Sequence, residues 1–84
     1  MIIRLGYLLT FSNVMSQIKS FSLNGQFYYT KQNLTLFDIV IYFNYNHYLL
    51  VLELNQLVCN KNKWHQTFIN NQDKLEIVSI VGGG

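Results

Sequence analysis

The sequence predicts an α+β domain, a mixed β-sheet with one main helix packed across it. Three observations carry the prediction. Asn24-Gly25 lies between two runs that alternate in polarity. In that setting Asn-Gly is a strong hairpin signal, because a type I′ turn needs positive φ at both central residues. Leu36, Ile39, Val40 and Phe43 recur at i, i+3, i+4 and i+7 and form one apolar helical stripe. The run from Leu75 to Val81 is apolar on both sides apart from Glu76 and Ser79, the pattern of a central strand.

The elements follow in order. Phe21 and Leu23 alternate with Ser20 and Ser22, the period of a half-buried strand, and Gln26 to Thr30 returns after the turn. Lys31 to Leu34 is a polar connection. Thr35 caps the helix, and Asp38, three residues on, completes a capping box and suits the positive end of the helix dipole. Asn44 to Tyr48 ends the helix. Leu50, Leu52 and Leu54 alternate with Val51, Glu53 and Asn55 as a further strand, and Leu57-Val58-Cys59 is a short extended piece. Lys61 to Ile69 holds one or two helical turns around Trp64, and Asn70 to Asp73 turns the chain into the last strand. A helix that follows a hairpin must cover the sheet's apolar face, and the last strand must be shielded by neighbours. The β-grasp arrangement meets both demands. It has a mixed sheet of four to five strands, one main helix, and the last strand inserted centrally beside the first.

Composition bounds the function. The chain has 84 residues, half of them hydrophobic and 12% charged, so it forms one small globular domain rather than a disordered segment. Net charge is +2, with six basic residues scattered along the chain. No basic stripe is present, and nucleic acid is not implied. A single cysteine excludes an intramolecular disulfide and a cysteine-rich metal site. Ten Asn, a single Arg and no Ala or Pro are what AT-rich codons favour, which points to a plastid or a reduced bacterium as the source.

Residues 1–16 stand apart as an N-terminal extension, read as disordered or as a start placed upstream of Met15. Their apolar run is too short for a membrane span, and it lacks the basic start and small-residue cleavage site of a signal peptide. The domain proper is 17–81. Residues 82–84, Gly82-Gly83-Gly84, form a flexible tail. Three glycines cannot pack, and ordering them costs entropy. Such a tail is either a frayed end or an arm narrow enough to thread a channel, presenting only the α-carboxylate of Gly84.

Other reactive side chains read as structural. Cys59 lies in an apolar strand and is a buried small hydrophobe. His47 and His65 are eighteen positions apart with no second ligand pair, so no metal site is expected. Asp38 is a helix cap and Trp64 a packing anchor. Asp73, Glu53 and Glu76 are isolated carboxylates, solvated or used in docking. Phe27 and Tyr29, with Glu53 and Glu76, form the candidate docking surface, since an apolar patch on so small a domain suits a partner.

Asn24-Gly25 after a short strand, Thr35-Leu36-Phe37-Asp38 opening the helix, Glu53-Leu54-Asn55, Trp64 and the ending from Asp73 to Gly84 together resemble the thiamine-biosynthesis sulfur carrier family, ThiS, over about Ile18 to Gly84. The ending is the specific part. Three places depart from the family pattern: Asn55-Gln56 stands where Asn-Gly is usual, Asn60-Lys61 where Pro-Arg is common, and Asn71-Gln72-Asp73 where Asp-Gly-Asp is common. These departures bear on turn geometry, since Asn only partly replaces glycine in left-handed backbone.

The resemblance implies a ubiquitin-like carrier and not an enzyme. It binds no cofactor; the ATP is used by its activating partner. An E1-like adenylyltransferase (ThiF type) would activate the Gly84 carboxylate, with Gly82 and Gly83 threading into the partner. A cysteine desulfurase or other persulfide donor would supply sulfur, and thiazole synthase (ThiG type) would receive it from the thiocarboxylate. No nucleic acid and no membrane enter this scheme. The location implied is the chloroplast stroma for a plastid gene and otherwise the bacterial cytoplasm. The alternatives are the small subunit of molybdopterin synthase, a ubiquitin-like modifier attached to lysines, and a non-catalytic β-grasp interaction module with an inert tail.

Overall fold

The computed structural model describes residues 2–4 and 18–80. Six strands form one sheet: β1 (Ile2–Arg4), β2 (Lys19–Leu23), β3 (Gln26–Thr30), β4 (Leu50–Leu54), β5 (Leu57–Cys59) and β6 (Asp73–Ser79). Their spatial order is β1-β3-β2-β6-β4-β5. Helix α1 (Leu36–Tyr42) lies between β3 and β4 in the chain, and a 3₁₀ turn (Lys61–Lys63) follows β5. Strand β6 is central as expected, parallel to β2 and antiparallel to β4. The α+β architecture and the β-grasp order are those the sequence predicts.

Strand β1 corrects the reading at the N-terminus. Ile2–Arg4 pair with Tyr28–Thr30 of β3, so the sheet has six strands rather than four to five, and part of the 1–16 stretch belongs to it. Three residues are too few for an alternating pattern to register, and their pairing is backbone to backbone. The rest of that stretch, and the tail 82–84, lie outside the described residues.

The helix begins where its cap dictates. Asp38 N–H donates to Thr35 Oγ1 at 3.1 Å, and Thr35 N–H donates to Asp38 Oδ2 at 3.0 Å, a complete capping box. Leu36, Ile39 and Val40 are buried and meet Phe21, Leu23, Leu52, Leu75 and Ile77 from the sheet. Phe43, the fourth residue of the predicted stripe, packs against this core from the helix C-cap. Trp64 closes the core at 1% exposure, and its Nε1–H donates to the Cys59 carbonyl at 2.9 Å. It is the packing anchor that the sequence indicates.

The turns show how the chain manages without glycine. Asn24 and Gly25 have φ of 50° and 83°, as a hairpin turn of the primed type requires. Asn55 and Gln56 have φ of 52° and 72°, and Gln72 has φ of 68°. Gln56 and Gln72 stand where the resembled family places glycine, and the backbone there is still left-handed. Each Gln therefore carries a conformational cost of roughly 1–2 kcal/mol.

Asp73 departs from its reading as a solvated or docking carboxylate. It is buried at the start of β6. Its Oδ1 accepts from Asn55 Nδ2 at 3.0 Å and its Oδ2 from Asn70 N–H at 2.7 Å. A buried carboxylate is tolerated when donors surround it, and here it ties two turns to the central strand.

Candidate functional site

The site is built by strand alternation. Helix α1 covers one face of the sheet, so every second side chain points to the other. Register then decides which of these meet. Phe27 lies beside Ser22, and Tyr29 beside Ser20. Toward the β5 edge of the sheet Val51 pairs with Val78, Glu53 pairs with Glu76, and Val58 lies beside Glu53. All four residues of the candidate docking surface, Phe27, Tyr29, Glu53 and Glu76, thus fall on the face opposite the helix.

That face has two parts. Near β3, Phe27, Tyr29, Ser20, Ser22 and Gln72 border a shallow groove of about 420 Å³. Phe27 is 57% exposed and Tyr29 half-buried. Toward β5, Val78 and Val58 are 59% and 62% exposed beside the paired carboxylates. Val78 departs from the pattern read for β6: the strand is central by its pairing, but only its helix-facing side is covered.

Glu53 directly opposite Glu76 costs stability, because like charges in a cross-strand pair repel. Two carboxylates among exposed valines make a surface complementary to a partner with apolar and cationic groups.

Strand β6 carries this face toward the tail. Lys74, Glu76 and Val78 lie on it in sequence, and the strand's last rung is Leu50 opposite Ser79. Ile80 N–H then donates to the Leu49 carbonyl at 2.6 Å. Gly82, Gly83 and Gly84 lie outside the described residues.

The remaining candidates are placed as follows. Cys59 is half-buried, packs against the core, and is a free thiol. His47 and His65, distant in sequence, both pack on the Phe37 ring, with centroid separations of 5.6 and 4.0 Å. Among the described residues no group of three or more His, Cys, Asp or Glu is placed to hold a metal ion. No helix among them is long and apolar enough to cross a membrane. Sequence reasoning missed Asn24 and Asn55 as more than turn residues, since their side-chain partners lie on β6, far along the chain.

Comparison with known proteins decides the family. The ThiS family model matches residues 21–84. The chain belongs to the ThiS family. Its relatives include a protein named ycf40 from Trieres chinensis, 51% identical over 70 residues, covering 83% of this chain and 96% of that one. A ycf40 protein from Porphyra purpurea is 35% identical over 65 residues, covering 77% and 92%. Among solved structures, the thiamine biosynthesis protein (ThiS) from Geobacter metallireducens superposes with a TM-score of 0.67 at 19% identity, over 77% of this chain and 99% of that one. That likeness establishes the fold. The ThiS match begins at Phe21, so β1 precedes it.

Proposed function

We propose that this ThiS-family chain is the sulfur carrier for the thiazole moiety of thiamine, with the sulfur held as a thiocarboxylate on Gly84. The observation that carries the reading is that the family match runs through the glycine tail to residue 84. A carboxylate is a poor electrophile, because its charge repels nucleophiles. An E1-like adenylyltransferase joins the Gly84 carboxylate to the α-phosphorus of ATP and releases pyrophosphate. Sulfur from a persulfide donor such as a cysteine desulfurase then attacks the acyl carbon, and AMP leaves. Two electrons from a thiol reductant free the sulfur from its donor, giving the C-terminal thiocarboxylate. Thiazole synthase receives the sulfur. The carrier supplies the nucleophile and its delivery, and no catalytic group of its own enters these steps. Docking converts sulfur delivery into a reaction at high local concentration. The relatives named ycf40, from algal species, support a plastid gene and with it a stromal location.

Intact mass after incubation with the adenylyltransferase, ATP, a cysteine desulfurase, cysteine and a thiol reductant tests the proposal. The expected result is a gain equal to one oxygen exchanged for one sulfur, confined to the C-terminal peptide. An unchanged mass with an active partner would overturn it. Release of that sulfur with thiazole synthase, and not with the large subunit of molybdopterin synthase, assigns the pathway.

The sheet face opposite the helix is the docking surface in this scheme, and it yields a prediction with opposite signs in two assays. Glu53→Gln removes one half of a repulsive pair, so it is expected to raise the unfolding free energy by about 0.2–1 kcal/mol. The same change is expected to weaken binding to the adenylyltransferase. Urea unfolding and calorimetric titration read the two effects. A gain in both would mean that the pair faces no cation on the partner.

A further inference from the structure

We propose that the Asn24 carboxamide is a positioning group for the tail, acting as one more peptide of β2 and setting the last point at which β6 is held from its β2 side. The inference rests on the sulfur-carrier reading for its functional arm and on geometry for its structural arm.

Strand β2 runs alongside β6 only from Phe21, opposite Asp73, to Leu23, opposite Leu75. There the chain reverses at Asn24-Gly25, and the last backbone bond is Asn24 N–H to the Leu75 carbonyl at 2.9 Å. Strand β6 continues to Ser79. On the β2 side its next rung falls at Ile77, and the Asn24 side chain fills it. Ile77 N–H donates to Asn24 Oδ1 at 2.7 Å, and Asn24 Nδ2 donates to the Ile77 carbonyl at 3.2 Å. The same Nδ2 lies 3.4 Å from Tyr45 Oη. A carboxamide carries the donor and the acceptor of a peptide group, so it can satisfy both backbone groups at once.

Ile77 is therefore flanked on both sides, by Leu52 of β4 as its register partner and by Asn24, which takes both of its backbone hydrogen bonds. Beyond it the register with β4 runs on to Ser79, and Ile80 N–H donates to the Leu49 carbonyl. The clamp at Ile77 stands seven residues before Gly84, about 23 Å of extended chain. Without it the two-sided hold retreats to Leu75, and the stretch from Ile77 to Ile80 that leads to the tail is steadied from the β4 side alone. A purely conformational role does not require this residue. Gly and Asp also serve in primed hairpin turns, and neither has the Nδ2 donor.

Asn24→Asp and Asn24→Gly separate the two roles. Asp keeps the size and one acceptor but sets an oxygen against the Ile77 carbonyl; Gly keeps the turn and removes the clamp. In Asn24→Gly, amide exchange at Ile77 is expected to rise at least about 10-fold above that of Leu52, an interior reference in β4. In both variants kcat for adenylation by the E1-like partner is expected to fall about 10-fold, because a misplaced reacting group is costly, while KM stays within about 2-fold because the docking face is intact. Unchanged exchange at Ile77 overturns the clamp whatever the activity. Wild-type kcat in both variants overturns the positioning role. A wild-type chain that is not adenylated overturns the carrier reading and the functional arm together, and exchange then judges the clamp alone.

Discussion

Removing Gly84 is expected to abolish sulfur loading while leaving the melting temperature of the domain unchanged. Among the described residues the core is built from residues between Phe21 and Ile77, and a glycine has no side chain to add to a core. Loading, by contrast, depends on where one carboxylate sits. From the last rung at Ser79 to Gly84 the chain spans five residues, about 17 Å when extended. Losing Gly84 leaves a carboxylate on Gly83, chemically equivalent but about 3.4 Å short of its place. A misplacement of about 1 Å can cost on the order of 100-fold in rate, so a shortfall of a whole residue is expected to reduce adenylation at least that much. The measurement is pyrophosphate release with the E1-like partner, beside a thermal melt of the same sample. Release at the full-length rate would show that the partner reads only the folded domain, and the glycine tail would lose its assigned role. A lowered melting temperature would place the tail in the core's energetics instead. The two readouts are independent because loading turns on the Gly84 carboxylate and the melt on the buried core.

How far the sequence revealed this molecule follows from how local each signal is. The cap at Thr35, its Asp38 partner and the stripe through Leu36, Ile39 and Val40 are set within about two helical turns, and α1 forms where they say. The Asn24-Gly25 hairpin is equally local. Alternation put Glu53 on the opposite side of its strand from Leu50, Leu52 and Leu54, but only register could show that Glu53 faces Glu76 and that Phe27, Tyr29, Glu53 and Glu76 share one face. Asp73 was misread because its neighbours in sequence are polar, whereas its burial is decided by Asn55, eighteen positions away. The second role of Asn24 depends on Ile77, fifty-three positions away. Strand β1 escaped because three residues carry no period. The glutamines at 56 and 72 show the converse limit. The residue type argued against left-handed backbone, and the surrounding β-ladder imposed it regardless.

Trp64→Ala is expected to remove most of the domain's stability. Trp64 is the largest fully buried side chain among the described residues, and it joins the segment after β5 to the sheet-facing side of the helix. Its backbone carbonyl also accepts from Phe37 N–H at 3.3 Å, so the segment holds the first turn of α1. Truncating a buried aromatic to alanine costs about 3–5 kcal/mol through lost burial and the cavity left behind. The Cys59 carbonyl, now bonded to Nε1, would lose its indole partner as well, at about 1–3 kcal/mol if it stays buried and unpaired. A domain of this size has a total stability of roughly 4–13 kcal/mol, so these losses approach or exceed the lower half of that range. Trp64→Phe separates the terms. It keeps an aromatic ring in the core but has no N–H, so its cost should fall between wild type and alanine, and the difference from alanine measures the packing share. Urea unfolding followed by far-UV circular dichroism checks both, since Trp64 is the single tryptophan and its own fluorescence is lost with it. An alanine variant with the wild-type midpoint would mean that the 60–69 segment is bound to the sheet by its backbone alone, through bonds such as Leu36 N–H to the Thr67 carbonyl and Ile69 N–H to the Leu34 carbonyl. Those bonds are each worth about 1 kcal/mol, too little to hold a connection of this length without the indole beneath it.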